Sequence, residues 1–179
     1  MQLWCQDEAR VGQKGRGVRL WFVRLWFERG MRPEGVIDRR YASAWLYGAV
    51  RPGTDAAFAL VMTEVGAGAM QVFLDRFAAT LPQRTHAALL LDGAGWHTAG
   101  DIVVPTNASL IFLPPYSPKL NPVERVWLYL RERYLSLRPF ADLDDIIDGC
   151  CDAWSRLLDE PGRVASLTDY PYLRSVSTS

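Results

Sequence analysis

The first half of the chain shows short runs of β-prone residues separated by turn-forming residues. Residues 3–8 predict a first strand, and the aromatic stretch at 18–27 predicts a second, joined to the first by a glycine-rich turn. Residues 44–50 and 57–65 predict two more strands, because a turn-forming sequence at 51–55 separates them. The first half is therefore predicted to be an antiparallel meander.

In the second half, helical periodicity and short apolar runs alternate. Apolar residues recur at helical spacing from 70 to 81, where Pro82 ends the segment. Residues 86–92 and 108–113 are predicted strands, and a helix is predicted to follow each in turn. The first helix carries an apolar stripe over 123–137, and the second runs from 143 to 158. A meander followed by alternating helices and strands predicts an α/β fold with a mixed sheet.

A tandem repeat interrupts the predicted second strand, since the five residues 19–23 are followed at once by a near copy at 24–28. Because five is odd, the insertion reverses the inward and outward faces beyond it unless a bulge or a longer hairpin absorbs it. A slippage duplication near a hairpin tip is favoured over a functional aromatic patch.

Length and composition indicate one globular domain, since the chain has 179 residues, of which 49% are hydrophobic and 22% charged. We expect the domain to span 1–174 and residues 175–179 to form a disordered tail. Cys5, Cys150 and Cys151 are odd in number and lack metal-ligand spacing, which favours a reducing cytoplasm over a disulfide framework or a zinc site. Neither a signal peptide nor a membrane-spanning run is recognisable.

The charges cancel overall but are unevenly distributed. Twenty basic and twenty acidic residues give no net charge, so overall charge does not indicate a nucleic-acid partner. Residues 1–50 hold nine Lys or Arg against five acids, whereas residues 138–179 hold eight acids against four arginines. A basic N-terminal part and an acidic C-terminal part could orient a bound polyanion, although most of these charges are explained as solvated surface residues. Any DNA affinity of this domain is expected to be modest and salt-sensitive.

Three acidic residues are candidates for a metal site. Asp92 ends the apolar run 87–91, where a charge is costly unless a partner or a cation compensates it. Asp7 lies on the predicted first strand and Glu124 at the start of a helix, and all three can converge where open sheets bind ligands. Two Mg²⁺ ions held by a few carboxylates activate an oxygen nucleophile and stabilise the leaving oxygen in phosphodiester cleavage.

Structural roles compete with metal binding at two of these acids. Asn121 suits a helix N-cap and Pro122 the first helical position, so Glu124 can complete a capping arrangement. Capping and metal binding explain Glu124 equally well. Asp7 and Glu8 point to opposite faces of a strand, so only one of them faces a given site.

Four further residues carry weaker signals. His97 is placed to contact phosphate or to order its loop. An imidazole with a purely structural role, hydrogen-bonded to the backbone, explains it at least as well. His86 has no companion at ligand spacing, so its structural reading is preferred. Lys119 and Arg125 flank Glu124 and are placed to pair with DNA phosphates, although solvated side chains are the commoner outcome.

The chain resembles the catalytic domain of a DDE transposase, in the bacterial insertion-sequence branch of the mariner superfamily. Three segments carry the resemblance, which spans nearly the whole chain: QDEAR at 6–10, LDGAGWH at 91–97 and LPPYSPKLNPVE at 113–124. The interval from Asp92 to Glu124, 124 − 92 = 32 positions, also resembles the close spacing of the family's second and third acids.

The resemblance implies a ribonuclease-H-like fold, a mixed sheet flanked by helices, in which Asp7, Asp92 and Glu124 bind two Mg²⁺ or Mn²⁺ ions. It implies DNA partners, both transposon ends and target. The implied chemistry is hydrolysis at the element ends followed by attack of the released 3′-hydroxyl on target DNA, commonly at TA in this family. Association as a homodimer is a further expectation.

Two departures from the family leave an alternative open. Relatives place helix-turn-helix modules before the catalytic domain, whereas this chain begins on its first predicted strand, so we expect that portion to be encoded upstream or lost from a truncated relic. Relatives also carry one copy of the segment duplicated at 19–28. The leading interpretation is a metal-dependent DNA endonuclease and strand-transfer domain. The alternative is an inactive remnant that binds DNA or dimerises, and a phosphatase-like hydrolase ranks below both for want of a nucleophile motif.

Overall fold

The computed structural model describes residues 1–12, 42–93, 95, 102–114, 117, 120–136 and 138–174. Within these residues the strands are β1 (Gln2–Gly12), β2 (Ser43–Val50), β3 (Ala57–Met62), β4 (Ala87–Leu91) and β5 (Ala108–Phe112). The helices are α1 (Ala67–Thr80), α2 (Val123–Leu130), a π-helical turn (Arg131–Leu135), α3 (Leu143–Leu158), α4 (Arg163–Leu167) and α5 (Pro171–Arg174). None of these helices has the length and apolarity needed to cross a bilayer.

The strands form one mixed sheet in the order β3-β2-β1-β4-β5. Strand β2 pairs antiparallel with both β1 and β3, whereas β4 pairs parallel with both β1 and β5. The predicted mixed sheet is therefore confirmed. The predicted strand at 18–27, its hairpin and its tandem repeat lie outside the described residues.

The predicted alternation of helices and strands is seen at α1, which lies between β3 and β4, and the structure describes only part of the connection that follows β4. Both later helices, α2 and α3, follow β5. Residues 102–107, which directly precede β5, contain no helix. The Gln71 amide holds this segment against α1, because it donates to the Val103 carbonyl at 3.0 Å and accepts from the Val103 N–H at 2.8 Å. These two bonds occupy the backbone groups that a helix would use.

Helices cover the sheet on both faces, so two hydrophobic clusters form. Alternate residues of β1 point to opposite faces, which puts Trp4 among the residues packed on α1 and Cys5 among those packed on α2 and α3. On the α1 side, Phe73 and Phe77 stack at 6.0 Å and the Trp4 ring meets Phe77 edge-on at 5.1 Å. The candidate site lies on the opposite, α2 side.

The helix predicted at 123–137 is α-helical only to Leu130 and continues as a π-helical turn. In a π-helix the hydrogen bonds run from residue i to residue i+5, so residues five apart align. Tyr129 and Tyr134 are such a pair, and both hydroxyls donate to the Glu160 carboxylate. These bonds, with that of Arg163, lower the pKa of Glu160 to about 2. The turn thereby fixes the end of α2 to the α3–α4 junction.

Candidate active site

The register of β1 and β4 places two of the three predicted acids level with each other. Their paired residues run from Gln2 opposite Ala87 to Cys5 opposite Leu90, a constant offset of 85 (87 − 2 = 85; 90 − 5 = 85). Asp7 and Asp92 share that offset (92 − 7 = 85), and Asp92 directly follows the last residue of β4. Adjacent strands lie about 4.8 Å apart, so the register sets the two aspartates at neighbouring positions where β4 ends.

Asp7 belongs to the face of the sheet that α2 covers. Its alternate neighbours on β1, Leu3, Cys5 and Ala9, all pack in the cluster that includes α2 and α3. The Trp127 indole N–H, on α2, donates to Asp7 Oδ2 at 3.0 Å. Strand and helix therefore meet directly at this carboxylate.

Asn121 fixes the start of α2 against β1. Its side chain is only 3% exposed; the amide nitrogen donates to the Gln6 carbonyl at 2.7 Å, and the amide oxygen accepts from the Val123 N–H at 3.2 Å. The second bond satisfies the backbone N–H of Val123, the first residue of α2; the N-cap position itself is Pro122, not Asn121 as predicted. One buried side chain thus joins the residue before Asp7 to the turn that carries Glu124.

We expect Asn121→Ala to destabilise the fold by about 2–4 kcal/mol, because the buried Gln6 carbonyl and the Val123 N–H both lose their partner. Urea denaturation measures this free energy of unfolding. Asn121→Ser is the matched comparison, since its hydroxyl keeps an acceptor for the Val123 N–H while the donor to Gln6 is lost, so its loss should be smaller. Unchanged stability in Asn121→Ala would show that the two bonds do not fix α2.

Gly48 makes room for the Trp127 ring beside Asp7. Gly48 is the residue of β2 directly opposite Asp7, and a Cβ added there would lie 2.5 Å from Trp127 Cη2. The indole ring is 4% exposed and also packs against Trp154, with ring centroids 6.1 Å apart. Since the ring is held on both sides, its N–H is aimed at Asp7 by packing.

Burial and neighbouring carboxylates raise the pKa of Asp7 to about 8. Burial is the largest cause, followed by the negative charges of Glu124 and then Glu8, while hydrogen bonds from the Glu8 backbone and from Trp127 act in the opposite direction. Asp7 and Glu124 are thus close enough for their charges to repel. A buried carboxylate beside a second, exposed one fits a divalent cation, because Mg²⁺ and Mn²⁺ prefer oxygen ligands and their positive charge would remove the repulsion.

Glu124 is exposed in the first turn of α2, and its side chain makes no capping hydrogen bond there. Of the two roles that the sequence left open for Glu124, the structure therefore does not show capping. Its negative charge is close enough to Asp7 to raise the pKa of that carboxyl.

The structure does not bring all three acids into one cluster. Among the described residues, no group of three or more His, Cys, Asp or Glu side chains is arranged to hold an ion. Asp92 is exposed at the end of β4, level with Asp7 in register, but only Glu124 and Glu8 contribute carboxylate charge at Asp7. Asp7 and Glu124 therefore lie close enough for their charges to interact. The Asp92 side chain contributes no charge at Asp7.

The weaker candidates divide between described and undescribed positions. His97 and Lys119 lie outside the described residues. Arg125 is exposed on α2, next to Glu124, and its guanidinium lies 5.8 Å from the centroid of the Tyr170 ring. His86 exchanges a hydrogen bond with the Ser109 hydroxyl at 2.8 Å, in keeping with the structural role preferred for it.

Sequence reasoning assigned Trp127 to the core stripe and missed its polar contact. A signal was present, because Trp127 follows Glu124 by three positions and such residues are neighbours on a helix surface. Gly48 carried no comparable signal, since the need for a small residue there depends on where α2 crosses the sheet.

Known proteins agree with this architecture. A protein of Sinorhizobium fredii (strain NBRC 101917 / NGR234), "Uncharacterized protein y4pE/y4sA", is 44% identical over 124 residues, covering 69% of this chain and 92% of that protein. The crystal structure of the Mos1 strand transfer complex is similar with a TM-score of 0.57 and 16% identity, over 94% of this chain and 55% of that one. That likeness confirms the ribonuclease-H-like fold, and this chain spans about half the length of the Mos1 chain.

The family assignment rests on most of the sequence. Residues 2–147, which are 147 − 2 + 1 = 146 of the 179, match the family described as DDE superfamily endonuclease. The matched range includes the Asp7 and Glu124 pair, Asn121 and Trp127, as well as Asp92. This chain belongs to the DDE superfamily endonucleases.

Proposed function

We propose that this chain is the catalytic domain of a transposase, a metal-dependent DNA endonuclease that also performs strand transfer. The reaction is hydrolysis of a phosphodiester followed by transesterification by the released 3′-hydroxyl. One observation carries the proposal: Asp7 and Glu124, acids that the family resemblance marks, interact on the α2 face of the sheet in a chain of the DDE superfamily endonucleases. The similar Mos1 structure is a strand transfer complex, which supports the second step.

Asp7, Asp92 and Glu124 would hold the cofactor, two Mg²⁺ or Mn²⁺ ions. Their carboxylates are suitable donors, and the raised pKa of Asp7 marks a place where negative charge lacks compensation. When bound, such ions supply Lewis-acid stabilisation of the phosphoryl oxygens and a nucleophile at neutral pH. Binding requires the exposed Asp92 side chain to turn toward its level neighbour Asp7.

The other residues of the site position these acids and the substrate. Trp127 keeps the Asp7 carboxylate in one orientation through its 3.0 Å hydrogen bond. Asn121 sets the helix that carries Glu124 against β1. His97, Lys119 and Arg125 are proposed to contact DNA. The proposed DNA partners are the transposon ends and the target, and the protein is proposed to assemble as a homodimer.

A second candidate function is a remnant that binds DNA or dimerises without cleaving it. One observation favours it, since the described residues contain no three-carboxylate group that could hold an ion. The two candidates differ in metal-dependent cleavage.

A nicking assay separates the two candidates. Supercoiled plasmid carrying the element ends is incubated with the protein in Mg²⁺, in Mn²⁺ and in EDTA. The endonuclease predicts open-circular product with either ion and none in EDTA. DNA binding that persists in EDTA, without product under any condition, would support the remnant.

A further inference from the structure

A groove of about 500 Å³ runs along the exposed side of α2, starting at the candidate active site. It is lined by Glu124, Arg125, Leu128, Arg131 and Tyr170. Successive residues of an α-helix are about 100° apart, so the four α2-side positions fall within an arc of about 120°. The groove is therefore one continuous stripe of the helix surface that begins at Glu124.

The two arginines of this groove differ from several other arginines in forming no ion pair among the described residues. In the part of the chain that the structure describes, neither Arg125 nor Arg131 forms an ion pair. Four other arginines of the second half of the chain are paired: Arg133 and Arg163 with Glu160, Arg138 with Asp145, and Arg156 with Asp152. The groove therefore carries two guanidinium groups without an ion pair among the described residues, and one carboxylate, Glu124, at its start.

The surface between the two guanidinium groups is apolar and aromatic. Leu128 is 48% exposed, and the partly exposed Tyr170 ring lies beneath the Arg125 guanidinium, 5.8 Å away. Cations separated by an apolar surface match a nucleic-acid strand, in which charged phosphates alternate with sugars and bases. An acidic protein surface would lack this alternation.

We propose that this groove binds the sugar–phosphate backbone of the DNA strand that enters the active site, with Arg125 and Arg131 contacting its phosphates. Leu128 and Tyr170 then pack against the intervening sugar or base. The inference rests on the proposed function for the identity of the substrate, and it adds Arg131, Leu128 and Tyr170 as binding residues and α2 as the path of the strand.

The test is a salt titration of DNA binding in EDTA, where no cleavage intervenes. Fluorescence anisotropy of a short labelled duplex of mixed sequence compares the wild type with Arg125→Gln and Arg131→Gln. Each phosphate contact adds about 0.9 to the slope of log affinity against log salt. We therefore expect each variant to lower that slope by about 0.9, and Arg131→Lys to keep it, because the charge remains.

Arg76→Gln is the matched control, since Arg76 is exposed on α1, on the opposite side of the sheet, and has no ion pair among the described residues. It removes the same charge without touching the groove, so its slope should equal that of the wild type. Equal slopes for Arg131→Gln and Arg76→Gln would overturn the proposal, as would a wild type that does not bind DNA at low salt.

The two proposals fail in different ways. If the protein never cleaves DNA but its salt slope falls when Arg125 or Arg131 is changed, the endonuclease proposal is wrong and the groove proposal stands. If the protein cleaves DNA in Mg²⁺ but Arg131→Gln binds DNA with the wild-type salt slope, the endonuclease proposal stands and the groove proposal is wrong.

Discussion

Asp92→Asn is expected to abolish DNA cleavage while leaving the protein folded. The substitution removes one of the three carboxylates proposed to hold the ions, and metal stabilisation of the transition state contributes several kcal/mol. Since each 1.36 kcal/mol is a factor of ten in rate, the expected loss is about 10³-fold or more. Asp92 is exposed at the end of β4, and surface changes of this kind usually alter stability by within about 0.5 kcal/mol. The nicking rate in Mg²⁺ and the urea midpoint measure the two effects.

Asp148→Asn provides the control for this prediction, because it makes the same chemical change at an exposed position of α3. It should cleave DNA at the wild-type rate. Glu124→Gln should behave like Asp92→Asn, since both remove an acid of the same proposed set. If Asp92→Asn and Asp148→Asn cleaved at equal rates, Asp92 would not belong to the active site.

Asp7→Asn is expected to stabilise the metal-free protein at alkaline pH. The folded-state pKa of Asp7, about 8, is raised above its ordinary value of 3.8. Between these values the unfolded chain releases the proton that the folded chain keeps, so the stability of the wild type falls as pH rises from about 4 to about 8 and then levels off. At about 1.4 kcal/mol for each pKa unit, the loss is on the order of several kcal/mol.

Asp7→Asn does not lose stability in this pH range, because its amide is neutral at every pH and its oxygen still accepts the hydrogen bond of Trp127. Urea denaturation in EDTA should therefore give equal stabilities near pH 4 and a clearly higher stability for Asp7→Asn near pH 8. Mn²⁺ should narrow the difference, because binding at 100 times Kd adds about 2.7 kcal/mol to the wild type and little to the variant. A variant less stable than the wild type at pH 8 in EDTA would contradict the raised pKa of Asp7.

Much of the fold was predictable because periodicity reports burial directly. The helical spacing of Met70, Phe73, Leu74 and Phe77 predicted α1, and all four are buried. Strand β1 is longer than predicted because residues beyond Glu8 gain their strand structure from pairing with β2 as far as Gly12. The helix predicted at 123–137 differs from the structure for the same reason, because its π-helical turn depends on contacts with Glu160. Pairing partners and tertiary contacts are not local properties of a sequence.

The acids of the candidate site could be predicted from the sequence, but the residues that position those acids could not. Asp92 could be singled out because a charge at the end of an apolar run needs compensation. The bond from Asn121 to the Gln6 carbonyl joins residues 115 positions apart, and the bond from Trp127 to Asp7 joins residues 120 apart. Both depend on how α2 crosses β1, which follows from the packing of the whole domain.

The central claim is that the carboxylates of Asp7, Asp92 and Glu124 share divalent ions. Anomalous diffraction from crystals of the wild type soaked in Mn²⁺ tests it most directly. The account predicts an anomalous peak bound by oxygens of all three residues, with the Asp92 side chain turned toward Asp7. A Mn²⁺ soak that gives no peak at Asp7 and Glu124, or a peak from which Asp92 points away, would contradict it.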